Sequence, residues 1–503
     1  MILNRLTGAT AVVGIFGLTL AVGFPAPATS QDVQRPIAVV HHPVSTTNAQ
    51  AQAAFDRGLL DYYAYNPEAA GHEFYTAADL DPHLAMAWWG IAMSNASNLN
   101  VPSTDDREQQ AEEAIGQAQV LEKYTSPEER ALIEAAALRF SSAPKANRKA
   151  LLTKYRDALQ RVAAQNPNDP DAAALYGEAS LYVAVSDAPN GVDVLTPAKR
   201  AAFVAHIAQL MPYFQAQLAK FPQHVGLLHF YVHSADSGNQ QQAAVDASKR
   251  LAAFDLPPED SHLTHMPGHI YFKVGMYDDA LDVATRSVAM DHAAFDCCHP
   301  GYYSGPRYYH DHNVAFLLYA MTVTGKTAQA VDVAQRENND VFLARQLIAD
   351  RRWHDVLAIP YKKGNSDTLP FARGIAFANL GNIPAAEQAL KEMAPPPADS
   401  PSFAATVTAM QLLLRATIAQ NNADNAKALT LLQQASVAAD KGDRLWYAEF
   451  PALYYYSPHL ALAQLSERLG RTDIARKALQ DELTMNPRSP AATQGLAQLA
   501  KQR

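Results

Sequence analysis

FDRGLLDYYAYNPEAAGHEFYTAADLDP, residues 55–82, carries Gly58, Ala70, Phe74, Ala77 and Pro82 at intervals of 12, 4, 3 and 5. Each residue type has a mechanical reason. The small residues let two helices of a hairpin approach closely, and the aromatic fills the groove between one hairpin and the next. Proline ends the second helix because its ring cannot continue one. The spacing is that of a helix-turn-helix unit of about 34 residues.

The same grammar returns near the C-terminus. Gly470, Ala475, Leu479 and Pro487 fit the turn and second helix of a unit in and just after LSERLGRTDIARKAL. Partial matches lie between: VGMYDDALDVA (Gly275, Tyr277, Ala280), VTGKTAQAVDVA (Gly325, Ala330) and LGNIPAAEQAL (Gly381, Ala386). Alternating strand-like runs are scarce, whereas Ala-rich segments with helical spacing of apolar residues fill the chain. The reading is an all-α, tetratricopeptide-like solenoid of antiparallel helix pairs, whose first helices line a concave face. Breaker-rich stretches at 186–197, 255–260 and 393–401 punctuate it. The expected organisation is a signal peptide (1–30), an N-terminal helical region with one repeat-like unit (31–195), a repeat core (196–394) and a C-terminal repeat cap (395–503).

The chain has 503 residues, too many for one compact core unless the fold is modular. Its 41 Lys and Arg against 50 Asp and Glu give a net charge of −9, which argues against a nucleic-acid partner. Arg5, the apolar run Ala9–Phe24 and the small residues up to Ser30 read as an export signal, with a periplasmic destination. An uncleaved N-terminal membrane anchor is the alternative. No later window reads as a membrane span. The two cysteines, Cys297 and Cys298, are adjacent, so disulfides do not organise the fold.

Histidines cluster. His229 and His233 are one helical turn apart in LLHFYVHSAD; His262, His265 and His269 follow in SHLTHMPGHIYF, and His310 and His312 in YYHDHN. Residues four apart share a helix face. If 224–236, 262–273 and 308–322 are successive first helices, their histidines converge on one patch of the groove. His229, His233, His265, His269 and His312 are therefore the candidate ligands of a transition metal, zinc or copper, with iron and nickel also compatible with imidazole. Pro267 suggests that the second of these helices begins near Met266 and leaves His265 on a loop. The bland alternative is that these histidines are hydrogen-bonded core residues. His41, His42, His83 and His224 read as surface or loop positions.

Aromatic residues give a second set. Tyr308 and Tyr309, with Tyr447, Glu449 and Tyr454 in WYAEFPALYYYSPH, are candidate contacts for a peptide or small molecule in the groove. Packing between units is the rival reading. The chain has no GxSxG, phosphate-cradling glycine loop, HExxH or CxxC, and HMPGH has zincin-like spacing without the glutamate base.

The ordered words FDRGLLDYYAYNPEAAGHEFYTAADLDPHLAMAWWGIAMSNASNLN, LLHFYVHSAD, THMPGHIYFKVGMYDDAL, YYHDHNVAFLLYA, FARGIAFANLG and YAEFPALYY span nearly the whole chain after residue 54. In them it resembles a group of large bacterial tetratricopeptide-domain proteins marked by an HMPSHIY-type segment. The resemblance implies the helical-repeat fold and the histidines at 229, 233, 265, 269 and 312; it implies no reaction. Gly268 stands where the group has Ser, and Pro458 where it tends to have Arg. YYHDHN is a residue longer than the usual word, leaving His310 and His312 as rival counterparts. Three functions follow: a metal-binding scaffold, a metal-dependent enzyme (hydrolase or oxidoreductase) using the same histidines, or a metal-free interaction scaffold.

Overall fold

The computed structural model describes residues 35–100, 104–143, 146–188, 195–297, 305–362, 364, 368–445 and 457–501. Among them the chain is all α-helix and short 3₁₀ turns, apart from one parallel bridge between Ile37 and Asp255. Each helix packs on its chain neighbour, as in Ala49–Tyr63 on Pro67–Leu80, Ser261–Val274 on Tyr277–Cys297, and Pro458–Arg468 on Thr472–Met485. The fold is a tetratricopeptide-like solenoid of antiparallel helix pairs.

The first unit shows why its residue types are needed. Phe74 is fully buried, and its ring lies between two glycines. A Cβ on Gly58 would stand 2.9 Å from that ring, and one on Gly90, in the following helix Ala85–Asn95, 2.3 Å from it. Four later glycines, Gly275, Gly325, Gly381 and Gly470, close a first helix in the left-handed conformation, with φ between 70° and 78°. The first unit places Tyr65 there instead, at φ 55°. Such a conformation strains an L-residue by about 1–2 kcal/mol, so surrounding packing must hold it.

Buried apolar side chains form two large clusters, one from Ala38 to Ile270 and one from Val331 to Leu499, with a smaller cluster between them. An extended arm leads into the first. The main-chain N–H of Asp255 donates to Pro36 O at 2.9 Å, and Ser45 and Thr46 then bond Glu129 and Asp81. The superhelix also returns on itself, since Pro487 O occupies the space where a Cβ on Gly275 would go. The expectation that no later window is long and apolar enough to span a membrane is corrected by Pro401–Asn421, a 21-residue helix containing an 18-residue window with a mean hydropathy of 1.3. Its apolar side chains serve the second core: 67% of that window is buried, against Thr368–Asn379 and Asn425–Leu445.

Gly90→Ala is expected to destabilise the N-terminal units by about 1–3 kcal/mol, because the Phe74 ring must leave its slot. Urea unfolding followed by circular dichroism measures this, while Gly116, a helix glycine with nothing within 4 Å of an added Cβ, should tolerate Ala.

Candidate metal centre

Three helices carry the histidines. Val225–Ser237 starts at His224, whose Nδ1 accepts from the Leu227 N–H, and it presents His229 and His233 on one face. Ser261–Val274 follows directly on the 3₁₀ turn Pro258–Asp260 and presents His262, His265 and His269. Gly305–Val323 brings His312. Pro267 does not start the second of these helices but lies inside it, so His265 is helical, contrary to the loop expected for it. Every residue from Ser261 to Tyr271 is buried. That packing outweighs the roughly 3 kcal/mol an internal proline costs.

The rings form two adjoining triads: His229, His233 and His262, and then His265, His269 and His312. In each, one nitrogen per ring lies within 4.8 Å of the others. Ring centroids in the first triad are 4.6–5.7 Å apart, and His262 is 6.2 Å from His265 of the second. In the second triad the Nε2 atoms converge, His265 to His269 at 2.8 Å and His312 to His269 at 3.3 Å.

The outward nitrogens are fixed separately. His229 Nδ1–H donates to the Tyr63 carbonyl at 2.7 Å, which leaves its Nε2 lone pair facing the triad, buried and unpartnered. His233 Nε2 and His262 Nδ1 are likewise buried and unpartnered. The Asn100 amide lies 3.2 Å from His262 Nε2 and 3.1 Å from the Tyr309 hydroxyl. Asn100 Nδ2 donates to that hydroxyl and faces His262 Nε2; turning the amide so that its oxygen faces them would let it accept from both and free His262 Nδ1 as a ligand. Behind the second triad, Asp236 Oδ2 stands 3.2 Å from His269 Nδ1, at ion-pair distance without hydrogen-bond alignment.

Burial pushes the His229 imidazole down to about 3, only partly countered by the Tyr63 carbonyl. Burial, and then the neighbouring imidazoles, hold His233, His262, His265 and His312 well below the usual histidine value. All five are neutral at pH 7, the form that ligates metals.

The five candidate histidines thus divide between two triads, and His262 completes the first. Tyr309 is 5% exposed and stacks on His262 at 4.3 Å, so it is a wall of this centre. The side chain of Tyr308 and all of Tyr447, Glu449 and Tyr454 lie outside the described residues. Tyr65, in its left-handed turn, packs its ring 4.8–6.0 Å from His229, His233 and His262. Sequence reading missed Tyr65; its only local signal is an aromatic residue where other units have glycine.

Two further groups have other work. His310, two residues from His312 and so on another face, bonds Asp291 at 3.2 Å and Glu337 at 3.0 Å. Burial lowers its affinity for a proton, but those carboxylates outweigh it and raise the ring to about 9. An imidazolium with both nitrogens engaged is an ion-pair hub, not a ligand. His42 and His224 lie in loop positions, as expected, but turn inward and converge on Asp171 at 3.0 and 2.9 Å, joined by the Tyr63 hydroxyl at 2.6 Å. The buried carboxylate collects all three donors and so draws both rings inward.

No family model matches the chain, and no curated protein matches it. Solved helical structures align at low identity. The Cut9–Hcn1 hetero-tetramer of the APC/C matches at 14% identity over 89% of this chain and 76% of that one, with a TM-score of 0.31. Yeast Tom70 matches at 12% over 90% and 95%, with 0.29, and the TPR domain of P58(IPK) at 11% over 90% and 98%, with 0.25. Scores this low carry no weight; the fold stands on the helix pairs themselves.

For His42, burial favours the neutral ring, but the bond to Asp171 and its charge prevail and hold it at about 9. The folded value exceeds the unfolded one of about 6.5. This contribution to stability is therefore complete below pH 6.5 and lost as pH rises through about 9. Urea midpoints across that range should fall in the native chain, and His42→Gln should flatten the fall.

Proposed function

We propose that the chain is an exported helical-repeat scaffold, of the bacterial group it resembles, that holds transition-metal ions in an enclosed six-histidine centre, one ion per triad. The observation that carries this reading is the set of buried, unpartnered imidazole nitrogens at His229, His233 and His262. A buried polar atom without a partner costs about 1–3 kcal/mol, and three facing one another are satisfied together by a cation. Distances agree: nitrogens about 2.0–2.1 Å from a tetrahedral ion lie about 3.3–3.4 Å apart, close to the 2.8 and 3.3 Å between the Nε2 atoms of the second triad. Neutral nitrogen ligands suit zinc or copper, and also iron or nickel.

A metal-free interaction scaffold is disfavoured by those same atoms. The enzymatic reading has one observation in its favour: each triad offers three protein ligands, one fewer than a closed structural zinc site. An ion held in this way supplies Lewis acidity at the remaining position. The residues around it orient and enclose. Tyr63 fixes the His229 ring and Asp236 sets its charge beside His269, while Tyr65, Tyr309 and Phe316 wall the rings from water.

Protein purified without a histidine tag is expected to carry zinc or copper by elemental analysis. Removing it with a chelator should lower the melting temperature, and His233→Ala combined with His265→Ala, one ligand from each triad, should abolish the difference between loaded and stripped protein. Protein that stays metal-free after reconstitution, with an unchanged melting temperature, contradicts the proposal.

A further inference from the structure

We propose that the two triads are unlike sites: His265, His269 and His312 take a divalent ion and fill first, and His229, His233 and His262 take a singly charged soft ion, cuprous copper. This rests on the metal-binding reading above and asks what each half of that centre selects.

The difference lies behind the rings. His269 is backed by Asp236, a carboxylate 7% exposed whose ion pair with His269 is at 3.2 Å. Among the described residues no Lys or Arg forms an ion pair with Asp236, and its side chain otherwise meets only the Gln241 amide, at 3.5 Å. Its negative charge is thus spent on the triad. A carboxylate behind a ligating histidine makes the ring a stronger donor and offsets the charge of the ion.

His229 and His262 are backed by neutral groups, the Tyr63 carbonyl at 2.7 Å and the Asn100 amide at 3.2 Å. No carboxylate bonds a ring of this triad among the described residues. Around it stand the faces and edges of Tyr65, Phe230 and Tyr309. The cost of burying an ion grows with the square of its charge, so a dication costs about four times what a monocation costs in the same surroundings. With His262 and His265 only 6.2 Å apart, a dication in the second triad also repels another in the first. Three imidazoles in an aromatic enclosure then suit Cu(I), which accepts three nitrogen ligands.

The test uses the full chain, tag-free and chelator-stripped, under anaerobic conditions. Zn(II) is titrated first against a chromophoric chelator, then Cu(I) under reductant against a cuprous-specific one, and retained metal is counted by elemental analysis. The expected result is about one tightly held zinc, with about one Cu(I) added without displacing it. Asp236→Asn should weaken the tight zinc by about 10–100-fold and leave Cu(I) in place. His233→Ala should remove Cu(I) and leave zinc. Should Asp236→Asn fail to fold, His265→Gln carries the same expectation. Two zinc ions of equal affinity, zinc unchanged in Asp236→Asn, or Cu(I) lost there and kept in His233→Ala would each overturn this proposal while leaving metal binding intact. Retention of neither metal overturns both readings.

Discussion

Six imidazoles brought into one helical seam have to be desolvated, and the chain accepts that cost where a leucine would pack without it. Burial keeps His229, His233, His262, His265 and His312 uncharged. His229 and His262 meet a main-chain carbonyl and an amide, a carboxylate lies beside His269, and the remaining nitrogens of each triad converge. The rest of the first core reads as support for that arrangement. Tyr65 accepts a left-handed backbone to lie against three of the rings, and Phe316 covers three others.

Two carboxylates set the helices that carry the rings. Asp171 gathers His42 from the N-terminal arm, the Tyr63 hydroxyl and His224, the residue that caps the His229 helix. Tyr63 thereby ties both ways, its hydroxyl to Asp171 and its carbonyl to His229. Asp291, fully buried, accepts from Ser261 at 2.5 Å, Asn313 at 2.8 Å and His310 at 3.2 Å. Ser261 and Asn313 are the chain neighbours of His262 and His312, so this one carboxylate holds the register of two ligand-bearing helices. Both anions are paired with cationic or hydrogen-bonding groups, as burial requires.

What could be read along the chain was whatever depended on local spacing. The intervals around Phe74 fixed the helix pair, and the four-residue step from His229 to His233 put both on one face. Pro267 misled because local chemistry disfavours a proline within a helix, whereas packing around Ser261–Tyr271 overrides it. Choosing between His310 and His312 needed the third dimension: two helical steps turn a side chain by about 200°, toward Asp291 in one case and His269 in the other. Tyr63, which orients His229 from 166 positions away, and Asn100, which reaches His262 from 162, leave no local pattern. Asp236 is near in sequence but looks like any helix-end carboxylate until His269 lies beside it.

The central claim is that imidazole nitrogens from three alternate helices, Val225–Ser237, Ser261–Val274 and Gly305–Val323, hold metal. X-ray absorption spectroscopy of the metal-loaded full chain tests it most directly. The account predicts a shell of nitrogen neighbours at about 2.0–2.1 Å, with the outer-shell scattering of about three imidazoles per ion. A shell dominated by carboxylate oxygen or sulfur, without imidazole scattering, would contradict it.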